Sequence, residues 1–276
     1  MAVSLTVLAS GSKGNCSVLS SGDHSILVDA GLSCRETLKR MTLASVNPDS
    51  ISAIVVTHEH QDHISGLSLL ARKLDVPVYM TGATHAAYQR WARAQTRPKD
   101  APPKSYIQKL EFFESGKAFS LGAIEAFPFT ISHDAEDPVG FVFRVEGVRI
   151  AIVTDLGYLP ENVKSHIRGC DGLMIESNHD LEMLRNGPYP WALKQRVMSR
   201  VGHLSNESLA EFLAGEYDGG AAFVVLAHLS ENNNHPDLAR SSAESALCRK
   251  SGASLPLLEQ PLRLARQDAP LETITI

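Results

Sequence analysis

The sequence predicts an α/β protein (in the α+β sense) organised as one domain over residues 1–276, with two mixed β-sheets and helices outside them. Three observations predict it. Strand-like and helix-like segments alternate through the first third, β-rich runs dominate the middle, and alternation returns in the last third. No repeat, low-complexity tract or linker interrupts the chain.

Taken in order, Leu5 to Ala9, Cys16 to Leu19 and Ser25 to Asp29 are short apolar, β-rich runs separated by the turn residues Gly11, Gly14 and Gly22. Arg35 to Met41 reads as a helix and Ile51 to Val56 as a buried strand. Ile64 to Leu74 has the i, i+3, i+4 apolar spacing of one amphipathic helix. Val76 to Met80 is a strand and His85 to Arg93 a helix. After Pro98, Pro102 and Pro103 come strands at Ala118 to Leu121 and Ile124 to Ile131, then Gly140 to Glu146 and Val148 to Thr154 as a hairpin turning at Gly147. Strands at Gly172 to Glu176 and Ala222 to Ala227 and helices at Leu193 to Ser199, Glu207 to Leu213 and Leu238 to Lys250 complete the pattern.

The four cysteines are scattered without a CxxC pair, which reads as thiols in a reducing compartment rather than a disulfide framework. The first residues lack the basic, apolar pattern of a signal peptide, and no stretch is long and apolar enough to span a bilayer; a cytoplasmic location without membrane association is expected. A net charge of −5 argues against indiscriminate nucleic-acid binding. Between residues 90 and 109, however, Arg90, Arg93, Arg97, Lys99, Lys104 and Lys109 face the single acid Asp100. That segment is either a solvated helix end and loop or a phosphate-contacting surface.

Directly behind the strand ending at Val56, the run Thr57-His58-Glu59-His60-Gln61-Asp62-His63 packs three imidazoles and two carboxylates into seven residues. A strand end delivers side chains to the rim of a sheet, and imidazole nitrogen with carboxylate oxygen is the donor set of a borderline cation such as Zn²⁺. Asp29, His133, Asp155, Glu176 and His228 share one context, a metal-ligand type of residue at the close of an apolar β-run. One such residue is usually a structural hydrogen-bonder. Five, together with the His-rich run, point to a metal site.

The ordered set Asp29, His58-x-His60-x-Asp62-His63, His133, Asp155 and His228 resembles the metallo-β-lactamase superfamily. The resemblance implies a four-layer αββα sandwich with two divalent metal ions at the rim. It implies that His58, His60 and His133 hold one, that Asp62, His63 and His228 hold the other, and that Asp155 bridges them. Asp29 would orient ligands from behind. Zn²⁺ is the first choice of metal, and Mn²⁺ or Fe²⁺ also suit these donors. A hydroxide bridging two cations is available near neutral pH, because metal binding lowers the pKa of water to roughly 7. Phosphodiester hydrolysis fits this set, thioester and lactone hydrolases share it, and β-lactam hydrolysis is not expected.

Two further segments, Glu176-Ser-Asn-His179-Asp180 and Gly202-His203-Leu-Ser-Asn-Glu207, together with Gly187-Pro-Tyr-Pro-Trp191 and the loop Ser10-Gly-Ser-Lys-Gly-Asn15, are similar to the YycJ/WalJ-type family of bacterial 5′→3′ DNA exonucleases. The resemblance implies that Glu176 fixes the tautomer of His203, that His203 is the general acid, and that Asp62 positions or accepts the proton of the nucleophile. His179 would assist from behind or contact phosphate. Ser12, Lys13 and Asn15 could cradle a phosphate, and Arg93 and Arg97 could guide DNA. Arg185, Lys194, Arg196 and Arg200 either line a strand-guiding rim or solvate two helices. Trp191 and Tyr189 either pack beneath a loop or stack on a base. A small cyclic phosphodiester, a thioester or a lactone is the alternative substrate.

Overall fold

The computed structural model describes residues 2–94, 106–251 and 262–276. Its first sheet is built from β1 (Val3–Ala9), β2 (Cys16–Ser21), β3 (His24–Val28), β4 (Ile51–Val55), β5 (Val78–Met80) and β6 (Leu110–Phe112). The second contains β7 (Phe119–Leu121), β8 (Ile124–Thr130), β9 (Val139–Val145), β10 (Val148–Val153), β11 (Gly172–Glu176), β12 (Phe223–Ala227) and β13 (Leu262–Leu264). A short β14 (Ile274–Thr275) returns to the first sheet and pairs antiparallel with β1. The sheet orders are β14-β1-β2-β3-β4-β5-β6 and β13-β12-β11-β10-β9-β8-β7. Both are mixed: β3 to β6 and β10 to β13 run parallel, the other pairs antiparallel.

Alternation along the strands makes the layers. Successive side chains on a strand face opposite ways, and here both directions are apolar. Ile26 and Val28 of β3, Ile150 and Ile152 of β10, and Val225 of β12 meet between the sheets with Phe141 and Phe143 of β9. The intervening Leu27 and Ile54 pack outward against α1 (Cys34–Leu43), α3 (Leu67–Leu74) and α4 (Gly82–Ala94). On the other outer face Ala151, Val153, Val224 and Leu226 meet α5 (Glu161–Ile167), α8 (Asn206–Gly215) and α9 (Pro236–Ser251). Three apolar layers between four layers of structure are an αββα sandwich.

Local chemistry sets the boundaries. Glu146 and Gly147 both have positive φ, 52° and 81°, so the β9–β10 hairpin closes through the left-handed turn that matches strand twist. Ser33 caps α1 by accepting from Glu36 N–H, and Ser205 caps α8 by accepting from Ser208 N–H at 3.1 Å. The helix expected over Ile64 to Leu74 is instead two, α2 (Gln61–Ile64) and α3, broken at Ser65-Gly66. A Cβ on Gly66 would lie 1.9 Å from the Leu32 carbonyl oxygen, so loop packing rather than apolar period decides that break. α5, α6 (Leu181–Asn186) and the late strands β13 and β14 were not anticipated; α7 (Trp191–Val197) begins two residues ahead of its expected start. Of the basic segment, Arg97, Lys99 and Lys104 lie outside the described residues. Among the described residues no helix is long and apolar enough to cross a membrane.

Candidate metal centre

The strand tips of both sheets converge on one rim. Asp29 follows β3, Thr57 to His63 follow β4, and His133, Asp155, Glu176 and His228 come from the ends of β8, β10, β11 and β12. Asp29, Asp155 and His228 all have left-handed backbone, with φ of 64°, 62° and 55°. That conformation costs a non-glycine residue about 1–3 kcal/mol and persists only where surroundings enforce it. It turns the chain sharply at the three strand ends where these side chains meet.

The convergence makes three groups whose donor atoms lie within 4.8 Å of one another: His58, His60 and His133; Asp62, His63, Asp155 and His228; and Asp155, Glu176, His203 and His228. Hydrogen bonding separates donors free to bind a cation from those already used. Glu176 is fully buried, and its Oε2 accepts Leu156 N–H at 2.9 Å and Leu204 N–H at 3.1 Å. Its Oε1 accepts His203 Nδ1–H at 2.8 Å and His228 Nδ1–H at 3.0 Å. With both oxygens doubly engaged, Glu176 orients imidazoles and has no vacancy for an ion.

The other imidazoles are oriented in the same way. His63 Nδ1 donates to Asp29 Oδ2 at 2.8 Å, and His133 Nδ1 donates to the Gly202 carbonyl at 3.1 Å. His58 Nδ1 lies 3.0 Å from Thr57 Oγ1, which itself donates to Asp29. In each case the opposite nitrogen is the one turned to the centre of the cluster. His58 Nε2 is buried without a hydrogen-bond partner among the described residues. A buried imidazole nitrogen left unpaired is costly unless something takes its lone pair, and a divalent cation coordinated by His60 and His133 as well would do so. The residues present therefore fit a metal.

Electrostatics lead to the same conclusion. Burial alone would lower His63 and His228, yet the carboxylates around them, Asp29 and Asp155 foremost, hold both well above the ordinary imidazole value. Asp155 is held well below its usual range despite burial, by His228 and His63. Burial keeps His58 and His133 low and so neutral, the state a metal ligand needs. At the mouth, burial opposes but the Glu176 carboxylate raises His203, whose side chain is 20% exposed. Since Nδ1 is bound to Glu176, Nε2 is its outward donor.

Residues that sequence reasoning missed or misplaced surround this core. Thr57 carries the Asp29 carboxylate to His58 by donating N–H and Oγ1–H, and its only signal was a hydroxyl between strand and histidine pair. Asn15, expected to touch phosphate, is buried: Oδ1 accepts Gly11 N–H, which turns Nδ2 to within 3.0 Å of His63 Nε2 and 3.2 Å of Asp62 Oδ2. The loop it ends is likewise no phosphate cradle. The N–H groups of Gly11, Lys13, Gly14 and Asn15 are all engaged within the protein, Ser10 Oγ accepts His228 N–H, and the Lys13 ammonium pairs with Glu231. Ser12 stays exposed. His179 is 1% exposed with Nδ1 unpartnered among the described residues, and burial lowers it to about 4. Its backbone carbonyl accepts Asn206 N–H at the start of α8.

The expected basic rim is partly neutralised. Arg90 pairs with Glu136, Lys109 with Asp75, and Lys194 is buried with its ammonium on the Arg185 carbonyl. Arg93 is exposed and, among the described residues, reaches Gln89 in a hydrogen bond of 3.5 Å. Arg196 Nε donates to Asp134 Oδ2 at 2.5 Å, and Asp134 Oδ1 lies 3.5 Å from His133 Nε2, so this arginine stands at the mouth. Trp191 does not pack beneath a loop: it is 65% exposed.

Residues 24–229 match the family model described as a beta-lactamase superfamily domain. The chain is 40% identical to an exodeoxyribonuclease YycJ of Bacillus anthracis, covering 91% of each chain. It is 36% identical to an exodeoxyribonuclease WalJ of Streptococcus pneumoniae, covering 88% of each. Among solved structures, the metallo-β-lactamase fold protein YhfI of Bacillus subtilis is similar, with a TM-score of 0.68 and 18% identity over 97% of this chain and 99% of that one.

Proposed function

Because the chain belongs to the metallo-β-lactamase superfamily and is a metal-dependent hydrolase, we propose that its substrate is DNA, cut at phosphodiester bonds from the 5′ end. The observation that carries this reading is His203, held at the mouth by Glu176 with its second nitrogen turned outward, beside two donor clusters. Expelling a nucleotide alkoxide, a poor leaving group, needs a positioned proton donor of this kind. The likeness to named exodeoxyribonucleases supports the choice of polymer.

In this reading His58, His60 and His133 would hold one divalent ion, and Asp62, His63, Asp155 and His228 would hold a second. Two such ions, Zn²⁺ by preference, with Mn²⁺ and Fe²⁺ also suited, supply an acidified water and neutralise charge on the phosphoryl oxygens. The protein's own residues do the remainder. Asp62, at the rim with Oδ2 3.3 Å from His228 Nε2, orients the attacking water and accepts its proton. His203 delivers a proton to the leaving oxygen through Nε2, and Glu176 keeps it charged and correctly turned. Asp29 and Asn15 hold the imidazoles in register. None of the four cysteines is in a disulfide, which suits a cytoplasmic setting.

The test is direct. Protein reconstituted with metal is incubated with 5′- and 3′-labelled single strands, duplex, RNA and a small cyclic phosphodiester. Mononucleotides released first from the 5′ end of DNA are expected. Turnover of the cyclic diester, a thioester or a lactone with DNA untouched would overturn the reading.

A further inference from the structure

Of the large apolar side chains that are exposed, three cluster on one short stretch beside the site: Trp191 at 65%, Met198 at 37% and Val201 at 43%. Trp191, Gln195 and Met198 recur at i, i+4 and i+7, so they share the outer face of α7 and its last turn. A solvated helix ordinarily puts polar residues there, and an apolar patch left outside marks a contact surface.

This stretch is tied to the catalytic mouth at its C-terminal end. His203 N–H donates to the Val197 carbonyl at 2.9 Å, Asp134 N–H to the Val201 carbonyl at 3.0 Å, and Ser132 Oγ to the Arg200 carbonyl at 2.8 Å. A Cβ on Gly202 would come within 2.2 Å of the Arg196 and Val197 carbonyls, so the strap is closely packed. Its other end is equally rigid. Pro188 and Pro190 flank Tyr189, both Leu193 N–H and Lys194 N–H bond the Pro190 carbonyl, and the buried Lys194 ammonium binds the Arg185 carbonyl. A preordered aromatic loses little freedom when it binds.

Charge lies along the same edge. Among the described residues Arg196 bonds Asp134 through Nε, and at 53% exposure its terminal nitrogens can meet an anion. Arg200 lies 4.2 Å from the Tyr158 ring centre and is exposed. The six residue steps from Trp191 to Val197 rise about 9 Å, the length of two to three stacked nucleotides at roughly 3.4 Å each.

We propose that α7 is a platform for an unpaired nucleic-acid strand, with Trp191 stacking on a base two or three nucleotides from the bond cut at the mouth and Arg196 contacting the intervening phosphate. A base within a duplex has no free face for Trp191, so the platform selects single-stranded ends. The proposal rests on the nuclease reading and adds how the polymer is held.

The chain has two tryptophans, Trp91 and Trp191, which makes fluorescence a specific probe. The nuclease-silent H60A protein is titrated with oligothymidylate, with the same strand made abasic, and with blunt duplex. Oligothymidylate should quench the emission, abasic strand and duplex should not, and Trp191→Phe in that background should abolish the quench. In the active enzyme Trp191→Ala should raise KM for single strands about 10-fold, within the range for loss of one stacked base, while Trp191→Phe restores most of it. Quenching that survives Trp191→Phe, equal KM changes on single strand and duplex, or self-association that disappears in Trp191→Ala would each overturn the platform. Those outcomes differ from failure of the nuclease reading, in which neither wild type nor variant degrades any DNA.

Discussion

Replacing Glu176 by Gln changes one atom and tests the whole orientation scheme. The carboxylate accepts four hydrogen bonds, two from backbone N–H groups on Oε2 and two from imidazoles on Oε1. A glutamine can keep its oxygen toward Leu156 and Leu204 only by turning its NH₂ toward His203 and His228. Donor then faces donor, and the imidazoles must move their protons to Nε2. In His228 a proton fixed on Nε2, 3.3 and 3.4 Å from Asp62 and Asp155, would leave no lone pair there for a metal.

The loss can be sized in two ways. Two hydrogen bonds to a charged group contribute about 1.5–3 kcal/mol each, giving roughly 3–6 kcal/mol. In titration terms the same contacts, although burial opposes ionisation, bring Glu176 down from its ordinary 4.5 to about 2, which corresponds to on the order of 3 kcal/mol. Since the folded value is the lower one, this stability is present above pH 4.5 and disappears as pH falls towards 2. Urea unfolding of metal-free wild type and E176Q should therefore differ by about 3 kcal/mol at neutral pH and converge through that acid window. Metal affinity, read by competition with a chelator, should fall about 10- to 100-fold. A gap under about 0.5 kcal/mol that ignores pH would refute the account of Glu176.

His60→Ala removes a donor of the first cluster, and the protein should lose bound metal by elemental analysis together with all hydrolysis; full activity without metal would contradict the assignment. His203→Ala should retain metal and fold while turnover of DNA drops by roughly 10²–10⁴, with far smaller losses on a nitrophenyl diester whose leaving group needs no proton. Because Glu176 raises His203, the rate on DNA should fall as pH rises through that raised value, and in E176Q this limb should move to lower pH; an unmoved limb in a pH–rate profile would assign it to another group. Gly31→Ala would set a Cβ 1.6 Å from the Asp62 carbonyl oxygen, so a loss of about 3 kcal/mol with weakened metal binding is expected from thermal and calorimetric measurements. An unchanged unfolding temperature would show that the contact yields without cost.

The sequence by itself determined the strand tips and what they carry. Alternating or continuous apolar runs end at Asp29, Val56, Asp155, Glu176 and His228, and the tight HxHxDH spacing cannot avoid forming a cluster, so both fold class and donor set could be read along the chain. Local signals also sufficed for the turn at Gly147 and the cap at Ser205. Only the tertiary structure decided which donors are already spent. Glu176 has the same chemistry as Asp155 in the sequence, and what distinguishes them is four hydrogen-bond donors that arrive from residues 156, 203, 204 and 228. The same holds for Asn15, drawn inward by Gly11 and Asp62, and for the helix broken at Gly66 by the Leu32 carbonyl. Trp191 is the converse: helical period assigns it a face, but whether that face is covered depends on packing from elsewhere in the chain, and among the described residues it stays 65% exposed. Period and spacing are properties of neighbours along the backbone; hydrogen-bond saturation and burial belong to neighbours in space, which only the folded chain brings together.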